Sequence, residues 1–216
     1  MGFKSIALTT TILALSTSAN AAIISTDWQS LGDNLITQDD VSGLEWLDLT
    51  VTTSRSYNDI LSQLEVGGEY EGWRYATSTE VGVFFDAFGG NNAYYNGGST
   101  QNNGLFDLVA PYWGDTYCAN AGCAVGDGFS NGIIADITAN NTQAVANIKD
   151  LYTLSYYDTQ DYVNTNLNTN TPDDYVNYTY GHALVRDISA VPVPSAVWLF
   201  GSGLVGLVGF ARRKKA

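Results

Sequence analysis

Histidine occurs once in 216 residues, methionine once, cysteine twice and proline four times. A single imidazole, His182, excludes His-rich metal centres and most zinc chemistries, which draw on several imidazole or thiolate ligands. Two cysteines are too few for a disulfide framework. Phosphate-binding glycine motifs are absent. Positive charge is scarce where it would matter for partners. Between residues 22 and 190 only Arg55, Arg74, Lys149 and Arg186 are basic, against 22 carboxylates, a net charge of −18. The formal total of −13 understates this, because the other five cations sit in the two ends. Such a body repels nucleic acid and anionic lipid, and its acidity favours solubility.

Long apolar runs are confined to the ends. Lys4 precedes an apolar stretch from residue 6 to 15, and small residues then lead to Ala19-Asn20-Ala21. That order predicts a secretory signal peptide over residues 1–21, cleaved after Ala21, and too short to span a bilayer. At the other end, residues 194–211 carry no charge. Their length, at about 1.5 Å per residue, just matches a hydrocarbon core. Trp198 suits the headgroup zone near the outer end, and Ser202 and Gly206 form a small-xxx-small pair. Arg212, Arg213, Lys214 and Lys215 follow at once and are expected to stay on the cytoplasmic side. The body should therefore be exported while the last residues remain inside.

Val191-Pro192-Val193-Pro194, the Gly-rich apolar span and the basic end together resemble the PEP-CTERM sorting signal, over residues 191–216. The resemblance implies export and handling by an exosortase, a membrane transpeptidase-like enzyme that removes the tail. It also implies a place in the cell envelope, at the cell surface or in the extracellular exopolysaccharide (biofilm) matrix of a Gram-negative bacterium. The usual Pro-Glu-Pro reads Pro192-Val193-Pro194 here, so a retained membrane anchor is the alternative to cleavage.

Residues 22–190 suit one domain with a real core. The Asn- and Gly-rich stretches 89–104 and 164–174 read as long surface loops. Tyrosines lie in and beside them, and Tyr94, Tyr95 and Tyr112 are expected to be exposed. Tyrosine beside Asn and Asp pairs a flat apolar face with hydrogen-bonding groups, as sugar-binding surfaces do. Cys118 and Cys123, in CANAGC, are expected to form a local disulfide in an oxidising compartment.

Residues 34–49 alternate apolar and polar side chains around Asp39-Asp40-Val41-Ser42-Gly43, which predicts a two-stranded hairpin. Residues 56–64 place Tyr57, Ile60, Leu61 and Leu64 at helical spacing behind Ser56, a candidate N-cap. Residues 77–88 begin with Thr77 and Glu80 in capping-box positions, and Val81, Phe84, Phe85 and Phe88 line one face. Residues 105–113 are apolar but interrupted by Pro111, compatible with a short helix. Residues 131–137 and 143–151 read as a second strand pair and 182–188 as a last strand. Strands at both ends with helices between them predict an α+β fold.

The blocks DDVSGLEW (39–46), GWRYATSTEV (72–81) and ALVRD (183–187) resemble the Lcl-type C-terminal domain. Asp39, Ser42, Gly43, Leu44 and Trp46 fit its first block, Trp73, Arg74 and Glu80 its second, and Val185 and Arg186 its third. Gly72, Tyr75 and Ala76 depart from its D-W-R-L-P. The resemblance implies a C-type-lectin-like fold with short antiparallel strands, two helices and long loops, and a part in adhesion, including glycan binding. Read as physics, these residues are mostly structural. Gly43 permits a turn with positive φ. Trp46 and Trp73 belong in a core more often than on a ligand platform. Arg74 and Arg186 should pair with carboxylates, and Glu80 with an N-terminal amide.

GFSNG (128–132) matches G-x-S-x-G, with Asp173, Asp174 and His182 following in hydrolase order. The elbow requires a strand before Ser130 and a helix after it, and a β-prone stretch follows instead. Loop oxygens at 32–40, 126–131 and 170–174 make calcium the one metal to consider, although none fits an EF-hand. The expectation is thus a non-enzymatic exported protein that acts by binding, with polysaccharide a candidate ligand. The alternatives are a purely structural envelope or matrix protein and, remotely, a secreted serine hydrolase. No resident cofactor and no nucleic-acid partner are expected.

Overall fold

The computed structural model describes residues 22–117, 127–138, 142–151, 160–168 and 172–188. The leader 1–21, Cys118 and Cys123 with their expected disulfide, and the tail 191–216 with its sorting residues lie outside the described residues.

Among the described residues, ten strands form two five-stranded sheets, and three α-helices pack with them. The fold is α+β. The first sheet has the order β1 (Ile23–Thr26), β2 (Ile36–Asp39), β3 (Leu44–Leu47), β10 (Leu184–Asp187), β4 (Arg74–Tyr75), with every pairing antiparallel. The second has the order β5 (Gly97–Ser99), β8 (Asp161–Leu167), β7 (Gln143–Leu151), β6 (Asp127–Ile137), β9 (Gly181–His182), antiparallel except for β6 with β9. The two sheets meet at Ala183, between β9 and β10. Its amide donates to the Ile133 carbonyl at 2.9 Å and its carbonyl accepts from Ala76 at 2.8 Å. The chain's last described segment is therefore shared by both sheets.

The expected hairpin is present as β2 and β3, in the register Asp39 to Leu44. Asp39 closes its turn: the carboxylate accepts from the Val41 amide at 2.9 Å and the Ser42 hydroxyl at 2.6 Å. Gly43 sits at φ 73°, where a side chain would be strained. Helix α1 (Tyr57–Gln63) starts where its cap predicts, with the Ser56 hydroxyl accepting from the Asp59 amide. Helix α2 (Ser78–Ala87) has the full capping box of Thr77 and Glu80. Asp136 of β6 adds a third hold on this N-terminus, accepting from the Ser78 amide and hydroxyl.

Helix α3 (Leu105–Trp113) runs through Pro111 without ending there. An internal proline costs about 3 kcal/mol. Burying Leu105, Phe106, Val109 and Trp113 on one face offsets it, at about 1.5–3 kcal/mol for each large side chain. Gly104 at the N-cap has no side chain to offer. The cap comes from another element: Asp161 of β8 accepts from the Phe106 amide at 2.7 Å.

Alternation along β6 and β7 divides the core in two. Ile134, Ala144, Ala146 and Ile148 face Trp46, Phe84, Phe85 and Trp113. Ile133 and Val145 face Ile36, Leu47, Ile60, Tyr70, Trp73, Tyr75 and Leu184. Sheet two is thus buried on both faces, which suits the continuous apolar run of Ile133 and Ile134.

Several loop expectations give way. Residues 164–167, part of a stretch with loop composition, belong to β8, because strand β7 supplies a partner edge and Val163 enters the core. Residues 97–99, within the other Asn/Gly stretch, pair with β8 as β5. The last predicted strand is divided into β9 and β10. Among the described residues no helix is long and apolar enough to cross a membrane, and the expected span 194–211 lies outside them.

Candidate functional site

The three motif blocks, far apart in sequence, lie side by side on β3, β10 and β4. Val185 stands opposite both Trp46 and Arg74. Trp46 is fully buried against Phe84, at a ring-centroid separation of 4.5 Å. Leu44 is buried in the same core. Trp73 is buried beneath the Arg186 guanidinium, 4.4 Å from ring centroid to Cζ. Arg186 also meets Glu45 at 2.5 Å, and Glu45 accepts from the side-chain Nε2 of Gln38 at 2.7 Å. Arg74 grips Glu80 through two nitrogens, at 2.7 and 3.0 Å. Glu80 accepts from the Thr77 amide as well, and the hydrogen bonding from Arg74 holds its carboxyl below the usual range. The charged side chains Arg74, Glu80, Arg186 and Glu45 of this group are spent on one another, whereas the buried Trp46 Nε1 has no hydrogen-bond partner among the described residues.

His182 lies at the centre of a second constellation. Its Nδ1 is 2.8 Å from the Tyr75 hydroxyl, and its Nε2 is 3.1 Å from the Arg55 carbonyl. A carbonyl only accepts, so Nε2 carries the proton and Nδ1 accepts from Tyr75. Burial pushes the imidazole down to about 4, which keeps it neutral at pH 7. The Arg55 side chain turns outward to Asp59 at 2.6 Å, Glu69 at 2.7 Å and the Tyr70 hydroxyl at 2.9 Å.

Ser130 does not meet this histidine. β6 is a continuous strand from Asp127 to Ile137, with no strand-to-helix elbow. His182 stands in register with Ile133, and odd and even residues of a strand face opposite ways, so Ser130 and His182 lie on opposite faces of sheet two. The Ser130 hydroxyl donates to the Gly114 carbonyl at 2.5 Å. Asp173 fixes α1 instead, its carbonyl accepting from the Asn58 amide at 3.0 Å.

Of the loops considered for calcium, residues 126 and 170–171 lie outside the described residues, and in 32–40 the Asp33 carboxylate is already engaged. Asp33 accepts amide hydrogen bonds from Trp28, Gln29, Ser30 and Leu35, and that from Trp28 contributes most to holding its carboxyl below the ordinary value. Among the described residues, no three His, Cys, Asp or Glu side chains converge as a metal site.

Of the tyrosines expected at the surface, Tyr94 is exposed. Tyr95 is buried, its hydroxyl donating to Asp86 at 2.8 Å, and Tyr112 packs half-buried against Phe88. Both pack inward because α2 and its C-cap present Phe85 to Tyr95 and Phe88 to Tyr112. The exposed tyrosines that composition alone did not single out are Tyr175 and Tyr178, in the segment before β9. Their signal was the YVNYTY pattern, which begins three positions after Pro172.

Both ends of the described domain leave it at one pole. The Ala22 carbonyl accepts from the Asp40 amide, and the Ile188 amide donates to the Gly43 carbonyl at 2.9 Å, so both flank the β2–β3 turn. No curated protein and no solved structure matches the chain. Residues 190–215, beginning two residues beyond that last hydrogen bond, match the PEP-CTERM protein-sorting motif, which exosortase-type enzymes recognise. The chain thus carries the address of a protein exported across the inner membrane to the cell envelope and sorted at its C-terminus.

Proposed function

We propose that this protein acts by binding, as a glycan-engaging component of the cell surface or exopolysaccharide matrix, and not by catalysis. The observation that carries the reading is the sorting motif placed directly after the last strand of a strongly acidic domain. A domain delivered in this way works outside the cell, among surface polymers. Its charge keeps it soluble and apart from polyanions. Exposed tyrosine beside amide and carboxylate groups supplies what sugar recognition needs: a flat apolar face with directional hydrogen bonds. The adjacency of the three motif blocks on β3, β10 and β4 supports a C-type-lectin-like relationship for the domain. The engaged hydroxyl of Ser130, on the face away from His182, supports a non-catalytic role.

Two measurements test this. Mature protein released from cells should bind on a glycan array; a blank array would leave a purely structural matrix role. Mass spectrometry of the same material should find a C-terminus near residues 192–195, produced by the sorting enzyme. An intact basic end would show a retained anchor instead.

A further inference from the structure

β10 runs toward the β2–β3 turn, so the segment before β9 lies at the opposite end, roughly 20 Å away at about 3.3 Å per strand residue. Any attachment through the tail holds the domain by the turn end and turns the other end outward. That outer end is built from residues 172–180 docked on the start of α1. The Ser54 amide donates to the Asn177 carbonyl at 3.2 Å, and the Asn58 amide to the Asp173 carbonyl at 3.0 Å.

The segment is ordered by its own polar groups. The Tyr175 amide closes a turn on the Pro172 carbonyl. Asn177 donates its side-chain amide to the Tyr175 hydroxyl at 3.1 Å and accepts from the amide and hydroxyl of Thr179 at 2.8 and 2.9 Å. Tyr175 and Tyr178 nevertheless stay open, at 44% and 55% exposure, with Val176 between them at 55%. Two tyrosines and a valine held in solvent by a hydrogen-bonded loop are out of place for packing and suited to contact. Little ordering entropy remains to be lost when a ligand arrives.

Charge narrows the ligand. Asp173 and Asp174 adjoin the tyrosines; of the cations at this end, Arg55 is tied to Asp59, Glu69 and Tyr70, and Lys149 lies over the Phe129 ring. The two carboxylates within the segment itself disfavour a uronate, sulfate or phosphate. Neutral sugars stack on aromatic faces and donate hydroxyls to carboxylates and amides, and both kinds of partner are here.

We infer that the Tyr175–Val176–Tyr178 surface, displayed at the pole opposite the sorted tail, is the contact site for a neutral polysaccharide. This rests on the binding role proposed above and gives it a place and a ligand class.

The test is affinity electrophoresis of the mature protein through gels containing dextran, mannan or galactomannan, with alginate as the anionic comparison. Wild type should be retarded by at least one neutral polysaccharide and not by alginate. Tyr175→Ala with Tyr178→Ala should weaken retardation about tenfold or more, the scale of a lost aromatic contact pair. Tyr175→Phe with Tyr178→Phe keeps the rings and should stay within about threefold of wild type, the hydroxyls being the lesser part of a stacking contact. Tyr94→Ala, outside this segment, should change nothing. Retardation that survives the double alanine variant overturns this placement and leaves glycan binding standing. A wild type that no polysaccharide retards overturns the glycan reading itself. Tyr-dependent retardation by alginate, or Tyr-dependent capture of a protein without any gel retardation, overturns the neutral-sugar assignment.

Discussion

The Tyr75 hydroxyl lies 2.8 Å from Nδ1 of His182, and the two residues come from β4 in sheet one and β9 in sheet two. With Nε2 bound to the Arg55 carbonyl and the His182 amide donating to the Thr52 hydroxyl at 2.7 Å, one neutral imidazole ties both sheets to the segment leading into α1.

That imidazole should make stability acid-sensitive. Its folded value, about 4, lies below the ordinary 6.5, so its contribution is complete above pH 6.5 and is lost as pH falls toward 4. The full difference is worth roughly 3 kcal/mol. Asp59, whose charge pulls the other way, and Arg55 both face it. In a variant with the opposing Asp161 removed (Asp161→Asn), the urea midpoint should drop between pH 7 and pH 4.5. A flat profile would refute a neutral buried His182.

Asp161 has the opposite sign. Burial pushes its carboxyl up to about 6, so its favourable contribution is complete below about pH 3.8 and is lost as pH rises through 6. Asp150 and Asp107 add to the same shift. In His182→Gln, acidification from pH 7.5 to 5 should therefore raise the urea midpoint. Asp161→Asn keeps an acceptor for the Phe106 amide and should be more stable than wild type at pH 8, with the gap closing below pH 5.

Arg186 bridges Glu45 and the face of Trp73, and Glu45 is only 10% exposed at its side chain. Arg186→Ala should cost about 1–3 kcal/mol, the range for a lost charged hydrogen bond plus a cation–π contact. Arg186→Lys should rescue little, because an ammonium lacks the planar fork that meets carboxylate and indole together. Chemical denaturation of both variants checks this, and full rescue by lysine would contradict it.

Gly181 sits where a Cβ would overlap the Leu49 carbonyl group. Gly181→Ala should destabilise by about 1–3 kcal/mol through overpacking at the β6–β9 pairing. Thermal unfolding measures it, and an unchanged midpoint would show that the Leu49 turn yields freely.

β10 lies inside sheet one, between β3 and β4, although it is the last described strand. A chain stopped after residue 176 should therefore lack a protease-resistant core, whereas one stopped after residue 189 should keep it. Limited proteolysis separates the two. Equal resistance would mean that neither sheet depends on this segment.

Much of the local structure was legible in the sequence. The caps at Ser56 and Thr77, the Gly43 turn and the 3.6-residue spacing of Val81, Phe84, Phe85 and Phe88 act within a few residues, so they show in the chain itself. The scarcity of cations in the body, the apolar ends and the sorting motif are equally local, and they carry the export reading. The strand character of residues 164–167, the burial of Tyr95, the borrowed Asp161 cap of α3 and the sharing of residues 181–187 between two sheets were not legible. Each depends on a partner dozens of residues away, and only the tertiary fold supplies that neighbour. The same holds for the outer surface. The sequence contains Tyr94, Tyr95, Tyr112, Tyr175 and Tyr178 on equal terms, and it is the packing of α2 and α3 that buries two of them while the anchored segment before β9 leaves Tyr175 and Tyr178 in solvent.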